Sequence, residues 1–176
     1  MEISVAVIKE LRELTSCGVI ECKKALEEAK GDITKAKEVL QKRGLEIAAK
    51  KSSRAVKEGR IESYVHMGNK IGVLLEVSCE TDFVARSETF CAFTKDVAMH
   101  IAAVNPQYIR REDIPQDILK GPHDPDGFAQ QVCLLEQPFV KDPKKTVQDY
   151  LNELISSTGE NICIGRFIRY KVNDVS

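Results

Sequence analysis

"RIESYVHMGNKIGVLLEV", residues 60–77, is the stretch on which the fold turns. In its first half Ile61, Val65 and Met67 fall on one side of an extended chain. In its second half Ile71, Val73, Leu75 and Val77 recur with the same period of two. Between them Gly68, Asn69 and Lys70 supply a turn, because glycine and asparagine tolerate the left-handed backbone that a tight hairpin needs. The stretch therefore reads as a β-hairpin. A lone hairpin is marginally stable in water, so something must cover it.

The cover lies just downstream. In "SETFCAFTKDVAMHIAAV", residues 87–104, Ser87 is an N-cap, and Phe90, Phe93, Val97 and Ile101 follow at i, i+3, i+7 and i+11. That spacing makes one apolar stripe on a helix packed against the hairpin. Joining the two is "CETDFVAR", residues 79–86, where the carboxylate of Asp82 stands beside the aromatic ring of Phe83. The joint has no core periodicity. On pattern alone a buried Phe83 at the corner is favoured, and a Phe83 presented outward stays open.

Upstream, the pattern is helical. Ile3, Val7, Ile8, Leu11 and Leu14 form a first stripe, interrupted at "TSCG", residues 15–18. Val19, Cys22, Ala25, Leu26 and Ala29 form a second, closed by Gly31, and Asp32 caps a third helix carrying Ile33, Ala36, Leu40 and Ile47. Three short helices make a small bundle over residues 1–50. "KKSSRAVKEG", residues 50–59, reads as a polar, cationic connector, so residues 51–59 are assigned as a linker and 60–176 as the core domain. Val19 and Ile20 are adjacent apolar residues at the start of one helix. Both cannot face one core, so one of them is exposed, either incidentally or as a docking point.

Downstream, residues 105–127 are rich in Pro, Asp and Gly and read as loop, with at most a short helix near 112–120. Pro138 argues against a central strand through "CLLEQPFVKDP". "KTVQDYLNELISSTG" is a helix with Val147, Leu151, Leu154 and Ile155 inward and Gly159 as its stop. "NICIGRFIRYKV" closes the chain as a strand with Ile162, Ile164, Ile168 and Tyr170 on one face. The fold class is α+β: a three-helix N-terminal module, then a core domain with a small three-stranded antiparallel sheet packed with helices. One face of so small a sheet lacks enough helix to cover it, which predicts self-association.

Composition narrows the chemistry. With 176 residues, 43% hydrophobic and a net charge of −1, the chain has ample core material and no global attraction to nucleic acid or membranes. No apolar run reaches the length of a membrane span, and the N-terminus lacks the pattern of a secretory signal, so the chain reads as cytosolic. The cysteines (Cys17, Cys22, Cys79, Cys91, Cys133 and Cys163) form no paired metal motif, and His66, His100 and His123 are scattered. No nucleophile elbow, phosphate loop, dinucleotide fingerprint or zinc-protease motif is present. No cofactor or metal site is assigned, and the chain reads as one that acts by binding rather than as an enzyme.

Four stretches then resemble one family. "IKELRELTSCGVIECKKALEEAKGDITKA" (residues 8–36), "GRIESYVHMGNKIGVLLEVSCETDFVAR" (59–86), "QPFVKDPKKTVQDYLNE" (137–153) and "GENICIGRFIRYKV" (159–172) are similar, in order, to patterns of translation elongation factor Ts. Residues 105–127 are matched only loosely. The resemblance implies a guanine nucleotide exchange factor for elongation factor Tu, without covalent chemistry and with no direct nucleic-acid contact. It implies that the N-terminal module is similar to ubiquitin-associated domains and docks on the partner through Arg12, Val19 and Ile20. It further implies that Thr81, Asp82, Phe83 and Val84 push into the partner near its magnesium, Phe83 between helices and Asp82 through a hydrogen bond, so that GDP leaves. Family members commonly carry two methionines where this chain has Val19 and Ile20, which keeps apolar character but loses methionine's adaptability.

Longer members of the family carry two related subdomains after the module, and this chain has material for one. Short members resemble homodimers, which implies a two-plus-two assembly with elongation factor Tu in a bacterial cytoplasm and raises an intersubunit disulfide at Cys163. The competing reading is a helical adaptor for some other protein, without exchange activity. A thiol enzyme or an RNA-binding sheet has less behind it, since Phe167 and Tyr170 fall on opposite faces of one strand.

Overall fold

The hairpin forms as the sequence predicts: β1 (Glu58–Val65) and β2 (Ile71–Cys79) pair antiparallel, with Arg60 opposite Val77 and Tyr64 opposite Val73. Gly68 and Asn69 carry the positive φ angles of the turn, 90° and 55°. This computed structural model describes residues 3–15, 17–121 and 124–174. His123 lies outside the described residues. The chain divides into two compact units, residues 1–55 with 151–161, and residues 56–150 with 162–176.

The first unit contains α1 (Val5–Thr15), α2 (Val19–Glu28) and α3 (Ile33–Lys51). Leu11, Cys22, Ala25, Leu26, Ala36 and Leu40 form its buried core, with Ile3, Val7 and Ile8 packed partly against it. Asp32 caps α3 by accepting from the Lys35 amide at 3.1 Å, as the sequence predicts. Two expected stripe residues differ: Leu14 and Val19 are exposed. The stretch expected as connector also differs, because Lys50 and Lys51 complete α3 and Glu58 opens β1. The piece between is not simply solvated. The buried Asn161 amide donates to the carbonyls of Ser52 (3.4 Å) and Arg54 (2.8 Å), and the Lys51 ammonium donates to the Gly159 carbonyl.

In the second unit the principal sheet has the order β1-β2-β5, where β5 spans Ile162–Lys171, and both pairings are antiparallel. Helix α5 (Glu88–Val104) covers one face. Its Phe90, Phe93, Val97 and Ile101 are fully buried, as are Leu75 and Val77 on β2. Ser87 caps α5, accepting from the Phe90 amide at 3.3 Å. Arg169 reaches from β5 to the Ala102 carbonyl near the other end of the helix.

The strand faces correct two expectations. Ile61 and Val65 do share a side of β1, but it is the side away from α5, and both are exposed, as is Met67 in the turn beyond the strand. Toward α5, β1 instead presents Arg60, Glu62 and Tyr64. There Arg60 pairs with Glu62 at 2.9 Å and the Thr94 hydroxyl donates to Glu62 at 3.1 Å. On β5 the four residues expected on one face are split. Val77 pairs with Ile164 and Glu76 with Arg166, which leaves Gly165 as a bulge. The extra residue reverses the alternation: Ile162 and Ile164 are buried, whereas Ile168 and Tyr170 face outward.

The region from 105 to 127 holds more structure than loop. A 3-10 turn at Arg111–Asp113 and α6 (Gln116–Leu119) fall within the range expected for a short helix, but α7 (Pro125–Val132) begins inside the supposed loop. Asp124 caps α7 by accepting from the Gly127 amide at 2.9 Å, and Pro125 occupies its first turn. Pro138 does not lie in a central strand: β3 (Pro138–Phe139) pairs only with β4 (Asp142–Thr146). Helix α8 (Val147–Thr158) follows, capped reciprocally by Thr146 and Asp149 and ended at Gly159, whose φ of +74° suits glycine.

Candidate functional site

The corner after β2 is built from inside outward. Cys79 is buried, and its thiol donates to the Thr81 carbonyl at 3.1 Å. Thr81 is extended and caps a single helical turn, α4 (Asp82–Ala85), its hydroxyl oxygen accepting from the Val84 amide at 3.4 Å. Ser87 closes the other end: its amide and hydroxyl both donate to the Val84 carbonyl, at 3.0 and 2.8 Å. Ala85 is buried beneath the turn. The backbone of residues 81–87 is therefore held at both ends by short-range bonds, and two capping side chains do the work usually left to glycine or proline.

On this pinned turn Phe83 stands 85% exposed. Leaving a phenylalanine side chain in water forgoes roughly 1.5–3 kcal/mol of burial, so folding gains nothing from having it there. The burial favoured by pattern is thus corrected: the polar caps turn the ring outward, and Ala85 takes the inward position. Asp82 is half-buried and its Oδ2 is paired with the Arg86 guanidinium. Thr81 is exposed and Val84 half-buried, so all four residues of the segment sit on one corner.

The first unit presents a second apolar feature. Val19 and Ile20 open α2 after Gly18 and are 52% and 68% exposed. Both face solvent, where one exposed residue was expected, because Cys22, Ala25 and Leu26 supply the whole inward stripe of that helix. Leu14, expected to face inward, is exposed near the end of α1, and Arg12, in the same last turn, is exposed too.

The third feature is the outer face of the principal sheet. Ile61 and Val65 on β1, Leu74 on β2, and Ile168 and Tyr170 on β5 are all exposed. Ile61, Leu74 and Ile168 line a groove that also holds Glu76 and Arg166, an in-register pair bonded at 2.7 Å. The signal in the sequence was Gly165, since a glycine within a strand often marks a bulge.

Burial pushes the Cys133 thiol up to about 11 and raises that of Cys17, so both stay protonated. Among the described residues no group of three or more His, Cys, Asp or Glu is placed to hold a metal ion. His100 is buried, with Nε2 bonded to Gln137 Oε1 at 2.9 Å and Nδ1 accepting from the Val140 amide at 3.2 Å. No helix among the described residues is long and apolar enough to cross a membrane.

Against known proteins, the family model described as elongation factor TS matches residues 3–124 and 126–174. The chain belongs to the elongation factor Ts family. It is 47% identical to the elongation factor Ts of Geobacter sulfurreducens over 197 aligned positions, covering 99% of this chain and 91% of the relative. Identity to the elongation factor Ts of Thermodesulfovibrio yellowstonii is 48%, covering 98% and 97% of the two chains. To that of Thermotoga neapolitana it is 45%, covering 99% of each. These elongation factors Ts share its length class, and the match runs through the β2–α4 corner, the α2 start and the bulged strand alike.

Proposed function

We propose that this protein is the guanine nucleotide exchange factor for elongation factor Tu, and that it works by non-covalent displacement rather than as an enzyme. The observation that carries the reading is Phe83, a large apolar side chain held in water on a turn fixed at both ends. In this reading Thr81, Asp82, Phe83 and Val84 enter the nucleotide-binding domain of the partner near its Mg²⁺, Phe83 filling a gap between helices and Asp82 accepting a hydrogen bond. Displacing the groups that hold the metal and the phosphates lets GDP leave. The thermodynamics are those of linkage: a factor that binds the empty partner more tightly weakens nucleotide binding by the same ratio. A rigid aromatic on a fixed turn suits this role, since it adds contact area and loses little entropy on docking.

The N-terminal helices act as the docking module, through Arg12, Val19 and Ile20, and the stretch between the end of α3 and the start of β1 connects them to the core domain that carries the sheet. The outer sheet face serves a second copy of this chain. Five exposed apolar side chains on one side of a three-stranded sheet make a patch that a monomer has no use for. The two-fold assembly would then carry two copies of elongation factor Tu in the cytoplasm, without direct nucleic-acid contact. The test is release of fluorescent GDP from elongation factor Tu with and without the protein. Acceleration at substoichiometric concentration is the expected result, and an unchanged rate rejects exchange activity.

A further inference from the structure

We propose that Arg86 is a positioning residue of the exchange corner, acting through Asp82. This rests on the exchange reading above. Arg86 lies one helical turn after Asp82, and its guanidinium holds Oδ2 of that carboxylate while remaining largely in solvent. It is not needed to hold the turn. Thr81 and Ser87 bond the backbone of Val84, Cys79 bonds that of Thr81, and the contribution of Arg86 to the backbone is its own amide, which any residue but proline would supply. An ion pair this exposed adds little to folding.

The pair instead acts on the carboxylate. An aspartate at the start of a single helical turn has several rotamers open to it, and each one populated in the free protein dilutes the one that fits a partner. With Oδ2 held by Arg86, the carboxylate is confined to one orientation, and Oδ1 accepts no bond from any described residue, which leaves it for a donor from outside. Arg86 thus presents Asp82 as the pinned backbone presents Phe83. A carboxylate has acceptor sites on both oxygens, so Asp82 need not break the Oδ2 pair to accept a second bond at Oδ1.

The test is a double-mutant cycle read by GDP release from elongation factor Tu, with thermal unfolding as the control. Arg86→Gln is expected to lower kcat/KM by about fivefold, the upper range for an exposed pair, with an unchanged unfolding midpoint, and Arg86→Lys to restore most of the loss. In an Asp82→Asn background, Arg86→Gln is expected to add nothing, because the group it positions no longer carries the charge. Equal losses in both backgrounds mean that Arg86 contacts the partner itself, and full activity of the single variant means that it has no part; either overturns the proposal. Wild-type protein that fails to release GDP overturns the exchange reading, and this role with it.

Discussion

Phe83 and Phe90 are seven residues apart and in opposite environments: the first is 85% exposed and the second fully buried. Two phenylalanines on either side of one cap therefore serve different ends, and truncating each should separate fold from function. Phe90→Ala is expected to cost about 3–5 kcal/mol, the usual range for emptying an aromatic site in a core. Phe83→Ala is expected to leave the unfolding free energy within about 0.5 kcal/mol of wild type while lowering GDP release by more than tenfold. Unfolding by heat and fluorescent GDP release, measured on both variants, decide it. A large loss of stability in Phe83→Ala would show that the ring is core after all.

The start of α2 makes a parallel prediction with a different kinetic signature. Val19 and Ile20 are exposed at the start of α2, so replacing both with serine should leave stability within about 0.5 kcal/mol. If they dock the partner, the double variant should raise the concentration for half-maximal exchange by about tenfold, since each loses an apolar contact of about 1 kcal/mol or less. The maximal rate should be retained, because the β2–α4 corner is untouched. A fall in maximal rate at unchanged half-saturation would assign these residues to the displacement step instead.

On the outer sheet face, Leu74 pairs in register with Ile168 and both are exposed. Placing a carboxylate at each, as Leu74→Glu with Ile168→Glu, brings like charges side by side on the sheet and buries them in any face-to-face assembly, a cost of several kcal/mol. If the proposed assembly forms, the wild type should sediment as a dimer at micromolar concentration and the variant as a monomer. A wild type that is itself monomeric and fully active removes the assembly from the mechanism.

What the sequence carried and what it did not divide along a physical line. The hairpin, α5 and the three N-terminal helices were legible because periodicity and caps such as Ser87 and Asp32 are local. Face assignments on β5 were not, because the bulge at Gly165 exists only in its pairing with Glu76 and Val77 on a strand some ninety residues earlier. Helix α7 was hidden by its own good start: Asp124 and Pro125 read as loop, yet they are an N-cap and first-turn proline. For the candidate site, residue types marked the place, but exposure was beyond pattern. Whether a corner phenylalanine points in or out depends on which neighbour, here Ala85, takes the inward position.

His100 supplies a prediction with a sign. Burial lowers its pKa from 6.5, opposed in part by the bond to Gln137, and the geometry agrees. Nδ1 accepts from the Val140 amide, and a protonated ring would set two donors against each other there. The folded state therefore holds the neutral ring, while the unfolded chain takes up a proton as the pH passes 6.5. His100 contributes its full stability above that value and loses it as the pH falls from 6.5 toward the lower folded pKa, after which the loss levels off. Unfolding midpoints measured from about pH 8 to about pH 5 should decline through this window in the wild type. His100→Gln, less stable throughout for want of the imidazole's packing, should show a shallower slope over the same range. An identical slope in both proteins would place the acid sensitivity elsewhere.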